Sequence, residues 1–240
     1  MVEMFQGIRS LFLPAACAGC QHPIDSPGTL PLCPDCFEQL PRSGPPWCSR
    51  CGLSLGNSGD GVTLCMECRT TPPSFDMAVS PCNYDGVAKT LIVALKYHAQ
   101  LRLAQFLGKL MAEAVRQHLG PDPADSIVPI PLYPSRLRER QFNQAELLAR
   151  VVARNLDLPC RTDLLTRREP TLPQTHLPRA MRFKNVEKAF CLRPNPLILS
   201  SRILLVDDVF TTGATVNSCA RTLKQGGATR VCVATFARGS

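Results

Sequence analysis

Aromatic residues are scarce in this 240-residue chain: they make up 6%, with three tyrosines and a single tryptophan, Trp47. So few rings argue against an extended base-stacking platform and leave any nucleic-acid contact to the phosphate backbone. No apolar run approaches the roughly 20 residues of a membrane span, so membrane insertion is not expected. Before Cys17 the start offers only the short apolar patch Leu11-Phe12-Leu13, with Glu3 where an export signal needs positive charge, so a cytoplasmic location is expected. Acids run out near the end: the 32 residues after Asp208 contain neither Asp nor Glu. In the first 80 residues, four Lys/Arg face seven Asp/Glu, a net charge of −3, whereas the remaining 160 carry +11. A polyanion would therefore meet the C-terminal part.

Cysteine, by contrast, is plentiful. Eight of the 13 form four Cys-x-x-Cys knuckles: Cys17/Cys20 and Cys33/Cys36, then Cys48/Cys51 and Cys65/Cys68. Two residues between thiols let both point at one metal, and two knuckles complete a tetrahedral four-sulfur shell. Two structural zinc ions are expected, with no coordination position open for a substrate. Whether consecutive or alternating knuckles share a metal is not fixed by spacing. So short a segment with few large apolar side chains depends on the metal for folding. Cys82, Cys160, Cys191, Cys219 and Cys232 stand in apolar surroundings and are expected in the core.

The densest chemistry lies at Ile203 to Thr215. Four aliphatic residues predict a strand buried on both faces of a parallel sheet, and ligands gather beyond the carboxyl ends of such strands. There Asp207 and Asp208 emerge with acceptor oxygens suited to vicinal sugar hydroxyls. Thr211, Thr212, Gly213, Ala214 and Thr215 supply hydroxyls and backbone N–H groups for an anion, at the start of a helix over Ala214 to Gln225. A phosphoacceptor receiver domain also opens with a strand ending in Asp-Asp, but it needs further acidic strand ends downstream, and none exists.

Upstream, Thr70 to Ser74 is a stiff boundary, followed by an edge strand over Met77 to Cys82 and helices with Val87, Leu91, Ile92 and Leu95, then Leu103, Phe106, Leu107, Leu110, Met111 and Val115, facing inward. Ile127 to Pro131 predicts another strand. A basic loop follows, with Arg136, Arg138 and Arg140 placed to receive a second phosphate group, and then a helix over Phe142 to Leu156. Arg167 to Lys188 is basic and broken by Pro170, Pro173 and Pro178, which predicts a mobile loop rather than a helix.

The stretch Ile203 to Thr215 resembles the phosphoribosyl pyrophosphate (PRPP) motif of type I phosphoribosyltransferases. Val128-Pro-Ile-Pro-Leu with Arg136, Arg140, Phe142, Asn143 and Gln144, together with Leu95-Lys96-Tyr97 and with Gln174, Thr175, Leu177, Arg182, Asn185, Ala189 and Phe190, is similar to the signature of the ComF family. Gln141 stands where that family usually has glycine. The resemblance implies an α/β fold: a zinc-ribbon module over residues 1–73, and over 74–240 a type I phosphoribosyltransferase-like parallel sheet flanked by helices. It implies that Asp207 and Asp208 take the ribose hydroxyls of PRPP and Thr211 to Thr215 its 5′-phosphate. Arg136 and Arg140 would belong to the pyrophosphate loop, and Gln174 and Arg182 to a mobile flap. Magnesium would accompany PRPP. The expected role is DNA uptake or the use of imported DNA, with single-stranded DNA on the basic domain and an uptake or recombination protein on the zinc module. The alternative is an active phosphoribosyltransferase for a small nitrogen nucleophile. The residues do not name an acceptor.

Overall fold

The computed structural model describes residues 16–24, 30–56, 63–98, 101–168, 189–193, 195 and 198–239. Two single-turn helices, α1 (Pro34–Glu38) and α2 (Met66–Thr70), start directly after the knuckle cysteines Cys33 and Cys65. Then come β1 (Met77–Val79), β2 (Cys82–Asn83), α3 (Gly86–His98), α4 (Leu101–Leu119), β3 (Ser126–Pro129), α5 (Pro134–Arg140) and α6 (Gln144–Leu156). The C-terminal half adds β4 (Leu165–Arg167), β5 (Phe190–Leu192), β6 (Arg202–Phe210), α7 (Ala214–Gln225) and β7 (Arg230–Arg238).

Five of these strands make one parallel sheet in the order β1-β7-β6-β3, with β2 following β1 along the same side of β7. The aliphatic runs of β6 and β7 suit its centre, because a parallel sheet must be covered on both faces. Alternate side chains divide between two cores. Leu204 and Val206 join α3, α4 and α6 on one face, whereas Ile203 and Leu205 join α7, β4 and β5 on the other. On the first face α4 lies close against α6: a Cβ on Gly108 would stand 2.6 Å from Val151 Cβ, so the helices can meet there only at a glycine.

The cysteine module is built into these same cores. Cys17, Leu32, Cys36 and Leu40 pack with α3 and α4, whereas Cys48, Cys51, Cys65 and Cys68 pack with Phe75, Phe210 and α7. The two knuckle pairs thus serve opposite faces of the sheet. Backbone bonds stitch the junction: Ser43 N–H to Pro81 O at 2.9 Å, Asn83 N–H to Pro41 O at 2.7 Å and Ala78 N–H to Arg50 O at 2.8 Å. The expected stiff boundary at Thr70 to Ser74 is docked as well, with Ser74 N–H donating to Asn217 Oδ1 at 2.5 Å.

Two expected loops are partly regular. The basic segment after β3 forms the helix α5, started by Pro134 at a position where its missing N–H costs nothing. Arg167 belongs to β4, paired antiparallel with Phe190 of β5, and Arg168 N–H donates to Ala189 O at 2.9 Å. The mobile loop expected from Arg167 therefore has a sheet-bound base, and residues 169–188 lie outside the described residues. Of the five scattered cysteines, Cys82, Cys219 and Cys232 are buried, while Cys160 and Cys191 are only half-buried.

Candidate functional site

The site is assembled where β6 ends. Asp207 and Asp208 lie within the strand, which continues to Phe210 beside β7. The Asp208 N–H donates to Asp207 Oδ1 at 2.8 Å. Asp208 is buried, and Lys96 of α3 reaches its Oδ2 at 2.6 Å. Burial works against ionisation of Asp208, but the Lys96 ammonium outweighs it, with help from Gln144, and holds the carboxyl below its usual range. For Asp207, burial and the neighbouring Asp208 charge act together and push the carboxyl well above its usual range. The acid pair is thus unequal: Asp208 has a cationic partner that holds its carboxyl down, whereas the Asp207 carboxyl is held above its usual range.

The ion pair continues into a network. Arg140 Nη1 donates to the buried Gln144 Oε1 at 3.1 Å and its guanidinium lies 5.7 Å from the centroid of the Tyr97 ring. Asn143 caps α6 by accepting from Ala145 N–H at 3.1 Å, and its amide donates to Ile130 O at 3.0 Å, fixing the loop between β3 and α6. Gln141 ends α5 at φ +65°, and its side-chain amide donates to Arg138 O. The chain thus takes the left-handed conformation at Gln141, where a side chain is strained by about 1 kcal/mol or more. Gln141→Gly is accordingly expected to raise unfolding stability by roughly 0.5–1 kcal/mol in chemical denaturation; no change or a loss would mean that the amide bond to Arg138 O compensates the strain.

Beyond β6, Thr211 to Gly213 turn into α7. Gly213 has φ +76°, and a Cβ there would stand 2.6 Å from Phe210 Cζ, so both conformation and space demand glycine. Thr212 Oγ1 accepts from Ala214 N–H at 3.4 Å. The first turn of α7 and its dipole face the end of the loop.

A cavity of about 500 Å³ gathers the expected residues Asp207, Asp208, Thr211, Gly213, Ala214 and Thr215 with Arg136 and Arg140. Thr212 is not among its lining residues and instead borders a smaller cavity behind the loop. Gln174 and Arg182 lie outside the described residues. Sequence reasoning assigns no role to Lys96, Gln144 or the three tyrosines, and it places Arg167 in a mobile loop. Arg167 lines the cavity, as do Lys96, Gln144, Tyr84, Tyr97 and Tyr133, which are all the tyrosines the chain has. The tyrosine rings are thus concentrated at one place, with Tyr97 exposed. The described lining offers carboxylate acceptors, cationic Lys and Arg side chains and hydroxyls.

The cysteines form two clusters of consecutive knuckles, Cys17/Cys20/Cys33/Cys36 and Cys48/Cys51/Cys65/Cys68, each with its sulfurs within 4.8 Å of one another. This answers the pairing left open by spacing. Backbone N–H groups of Gly19 and Cys33 donate to Cys17 Sγ at 3.4 and 3.3 Å. Burial opposes ionisation of Cys17, but these donors and that of Cys20 bring its thiol down to about 6. Burial and neighbouring thiols push Cys36 and Cys68 up. Each cluster offers a four-sulfur set of the kind that suits a structural zinc ion.

A parallel sheet carrying an acid pair and an anion loop, preceded by paired four-cysteine knuckles, defines a phosphoribosyltransferase-like protein with a double zinc ribbon. Comparison agrees: a double zinc ribbon domain model matches residues 8–71 and a phosphoribosyl transferase domain model residues 143–240. The chain is 32% identical to competence protein F of Haemophilus influenzae over 212 residues, covering 86% of this chain and 90% of that protein. It is 30% identical to DNA utilization protein YhgH of Escherichia coli, with 93% and 96% covered, and 28% identical to competence protein ComFC of Streptococcus pneumoniae, with 82% and 83% covered. The chain belongs to the ComF family.

Proposed function

We propose that the chain is a PRPP-binding protein that serves DNA uptake or the use of imported DNA. The observation that carries this reading is the convergence, on one cavity of about 500 Å³, of the acid pair, the loop residues Thr211, Gly213, Ala214 and Thr215 and the arginines Arg136, Arg140 and Arg167. In this reading Asp207 and Asp208 take the ribose hydroxyls, the loop and the first turn of α7 take the 5′-phosphate, and Arg136 and Arg140 take the pyrophosphate. The hard carboxylate oxygens of Asp207 suit magnesium, which would offset pyrophosphate charge when bound. Loss of the Asp207 proton is favoured by any cation brought beside it. Gln174 and Arg182 belong, in the same reading, to a flap closing over the ligand.

The role in DNA rests on the relatives, whose names are competence and DNA utilization proteins. The net charge of +11 on residues 81–240 suits a nucleic-acid backbone, and the tyrosines at the cavity offer planar faces to an unpaired base. The acidic N-terminal module is the part assigned to a protein partner of uptake or recombination. Incubation with labelled PRPP, magnesium and single-stranded DNA, scored for ligand retention and pyrophosphate release, tests the reading. Retention of PRPP together with DNA is expected, and pyrophosphate release with a ribosylated product would add phosphoribosyl transfer. Retention of neither would end it.

Stacking and backbone contact are separable. Tyr97→Ala should weaken single-stranded DNA binding by about 1–3 kcal/mol while leaving the salt dependence unchanged. Replacing Arg168, Arg179 and Arg182 by glutamine should instead flatten the dependence, by about 0.7 in slope for each phosphate no longer neutralised. Fluorescence anisotropy across a salt series reads both. Tyr97→Ala binding as tightly as the unmodified protein would remove the tyrosines from the DNA surface.

A further inference from the structure

One buried side chain joins the second cysteine cluster to the Thr211 to Thr215 loop. Arg238, the last residue of β7, is only 7% exposed. Its Nη2 donates to Cys51 Sγ at 3.3 Å, and its guanidinium lies over the Phe210 ring, 4.2 Å from the centroid. The sheet register creates this stack, since Phe210 and Arg238 are direct partners across β6 and β7. Phe210 in turn touches the loop, because its ring fills the space where any side chain on Gly213 would stand. Phe75, from the segment that joins the ribbon to the sheet, meets the same ring edge-on at 5.7 Å.

The chemistry of this arrangement is unusual for a core. Nε and Nη1 of Arg238 have no hydrogen-bond partner among the described residues. A buried cation is retained only when an opposite charge compensates its desolvation. The cavity beside it, about 50 Å³ and bordered by Phe75, Thr212 and Asn217, has room for a few waters and not for an anionic ligand. Glu67 also lines that cavity, but the group that the guanidinium touches directly is the Cys51 sulfur, which points to the cysteine cluster as its counter-charge. Zinc bound by four thiolates carries a net charge of −2, and the two clusters differ in how they can bear it. The first leaves Cys20 exposed and Cys33 half-buried, so water shares its charge, whereas all four cysteines of the second are buried.

We infer that Arg238 is the buried counter-cation of the second zinc site and that, through Phe210, it makes the geometry of the Thr211 to Thr215 loop conditional on metal at that site. It is a positioning residue: it borders no part of the large cavity, and it acts on the loop through the ring it stacks upon. The first zinc site lies on the opposite face of the sheet, and among the described residues no comparable contact links it to the loop. The second half of the inference rests on the loop being the phosphate site, while the first half does not.

The test uses the zinc-loaded full chain, its cobalt-substituted form, and the variants Arg238→Met, Arg238→Lys and Phe210→Leu. Metal release to a chelator is followed by the loss of cobalt–thiolate absorption, and alkylation of the freed thiols with mass spectrometry identifies the cluster that opened. PRPP binding with magnesium is measured by titration calorimetry. In Arg238→Met, release from the second cluster is expected to accelerate at least tenfold with the first unchanged, and PRPP affinity to fall fivefold or more. Arg238→Lys, which keeps the charge, should retain the second metal. Phe210→Leu should keep both metals and lose PRPP affinity. Unchanged release from the second cluster in Arg238→Met overturns the counter-cation. Accelerated release with unchanged PRPP affinity overturns the coupling. If Arg238→Met does not fold, Arg238→Lys decides the first half, since loss of the second metal there would show that shape rather than charge is needed, and Phe210→Leu decides the second. If the unmodified chain binds no PRPP, the phosphate reading of the loop fails, while the metal-release result still judges the counter-cation by itself.

Discussion

Asp207→Asn and Asp208→Asn are expected to move unfolding stability in opposite directions at neutral pH, although both weaken PRPP binding. Asp208 is ionised against Lys96 at 2.6 Å with little solvent access on either side. Removing its charge strands a buried ammonium, a loss of about 3–5 kcal/mol. Lys96→Met strands the carboxylate and should cost as much, and combining it with Asp208→Asn should recover most of the loss. Asp207 is the reverse case, since burial and the Asp208 charge raise its carboxyl well above the usual range. A raised carboxyl costs the fold stability once pH exceeds the unfolded value, so Asp207→Asn should stabilise at neutral pH, with the gain vanishing below about pH 4, where the side chain is protonated in both states. The depressed Asp208 behaves oppositely: its contribution is present above the unfolded value and is lost as pH falls through the folded one. Denaturant melts between pH 3 and 8 read both signs. Equal losses from the two substitutions would mean that the acids share one environment and that Lys96 does not distinguish them.

Removing zinc should have the largest effect on the fold. Binding of a structural zinc ion contributes about 10–16 kcal/mol in small zinc modules, and here each cluster is part of a core that also holds the sheet. Cys17 and Cys36 pack with α3 and α4, and the second four cysteines pack with α7. Chelation at neutral pH is therefore expected to abolish the cooperative melt of the whole chain rather than to release a ribbon from an intact domain, and zinc added back should restore it. Elemental analysis should find two zinc ions per chain. A chelated protein that keeps its melting temperature would show that the domain stands without the ribbons, and fewer than one zinc with paired disulfides would mean that the cysteines hold the fold without metal.

Much of this architecture is legible in the residues themselves. The aliphatic run before Asp207 reads as a doubly covered strand, four Cys-x-x-Cys pairs at matched spacing read as shared ligation, and α7 begins and ends where the loop and Gly226 place it. What stays hidden depends on distance along the chain. Lys96 sits on α3 beside the buried Ile92 and Leu95, but its partner lies 112 positions away and only the fold names it. The pairing of knuckles is undetermined in the sequence because the spacings, 12 and 13 residues, are nearly the same within each half. Thr212 groups with its neighbours along the chain, yet in a tight turn adjacent side chains diverge, and its own faces the ribbon side. The basic segment after β3 is helical because Pro134 and the run to Arg140 favour a helix start that a count of arginines does not register. Scarcity also misleads: three tyrosines are few for a chain of this length and enough for one site.

Whether this cavity holds PRPP is decided by titration calorimetry of the zinc-loaded chain with PRPP in magnesium, run beside Asp207→Asn. Charge-assisted hydrogen bonds contribute about 1.5–3 kcal/mol each, so we expect saturable binding of one PRPP per chain and a fall in affinity of at least tenfold in a variant that melts no earlier than the original. Absence of binding by the unmodified protein, or equal affinity in Asp207→Asn, would refute the assignment.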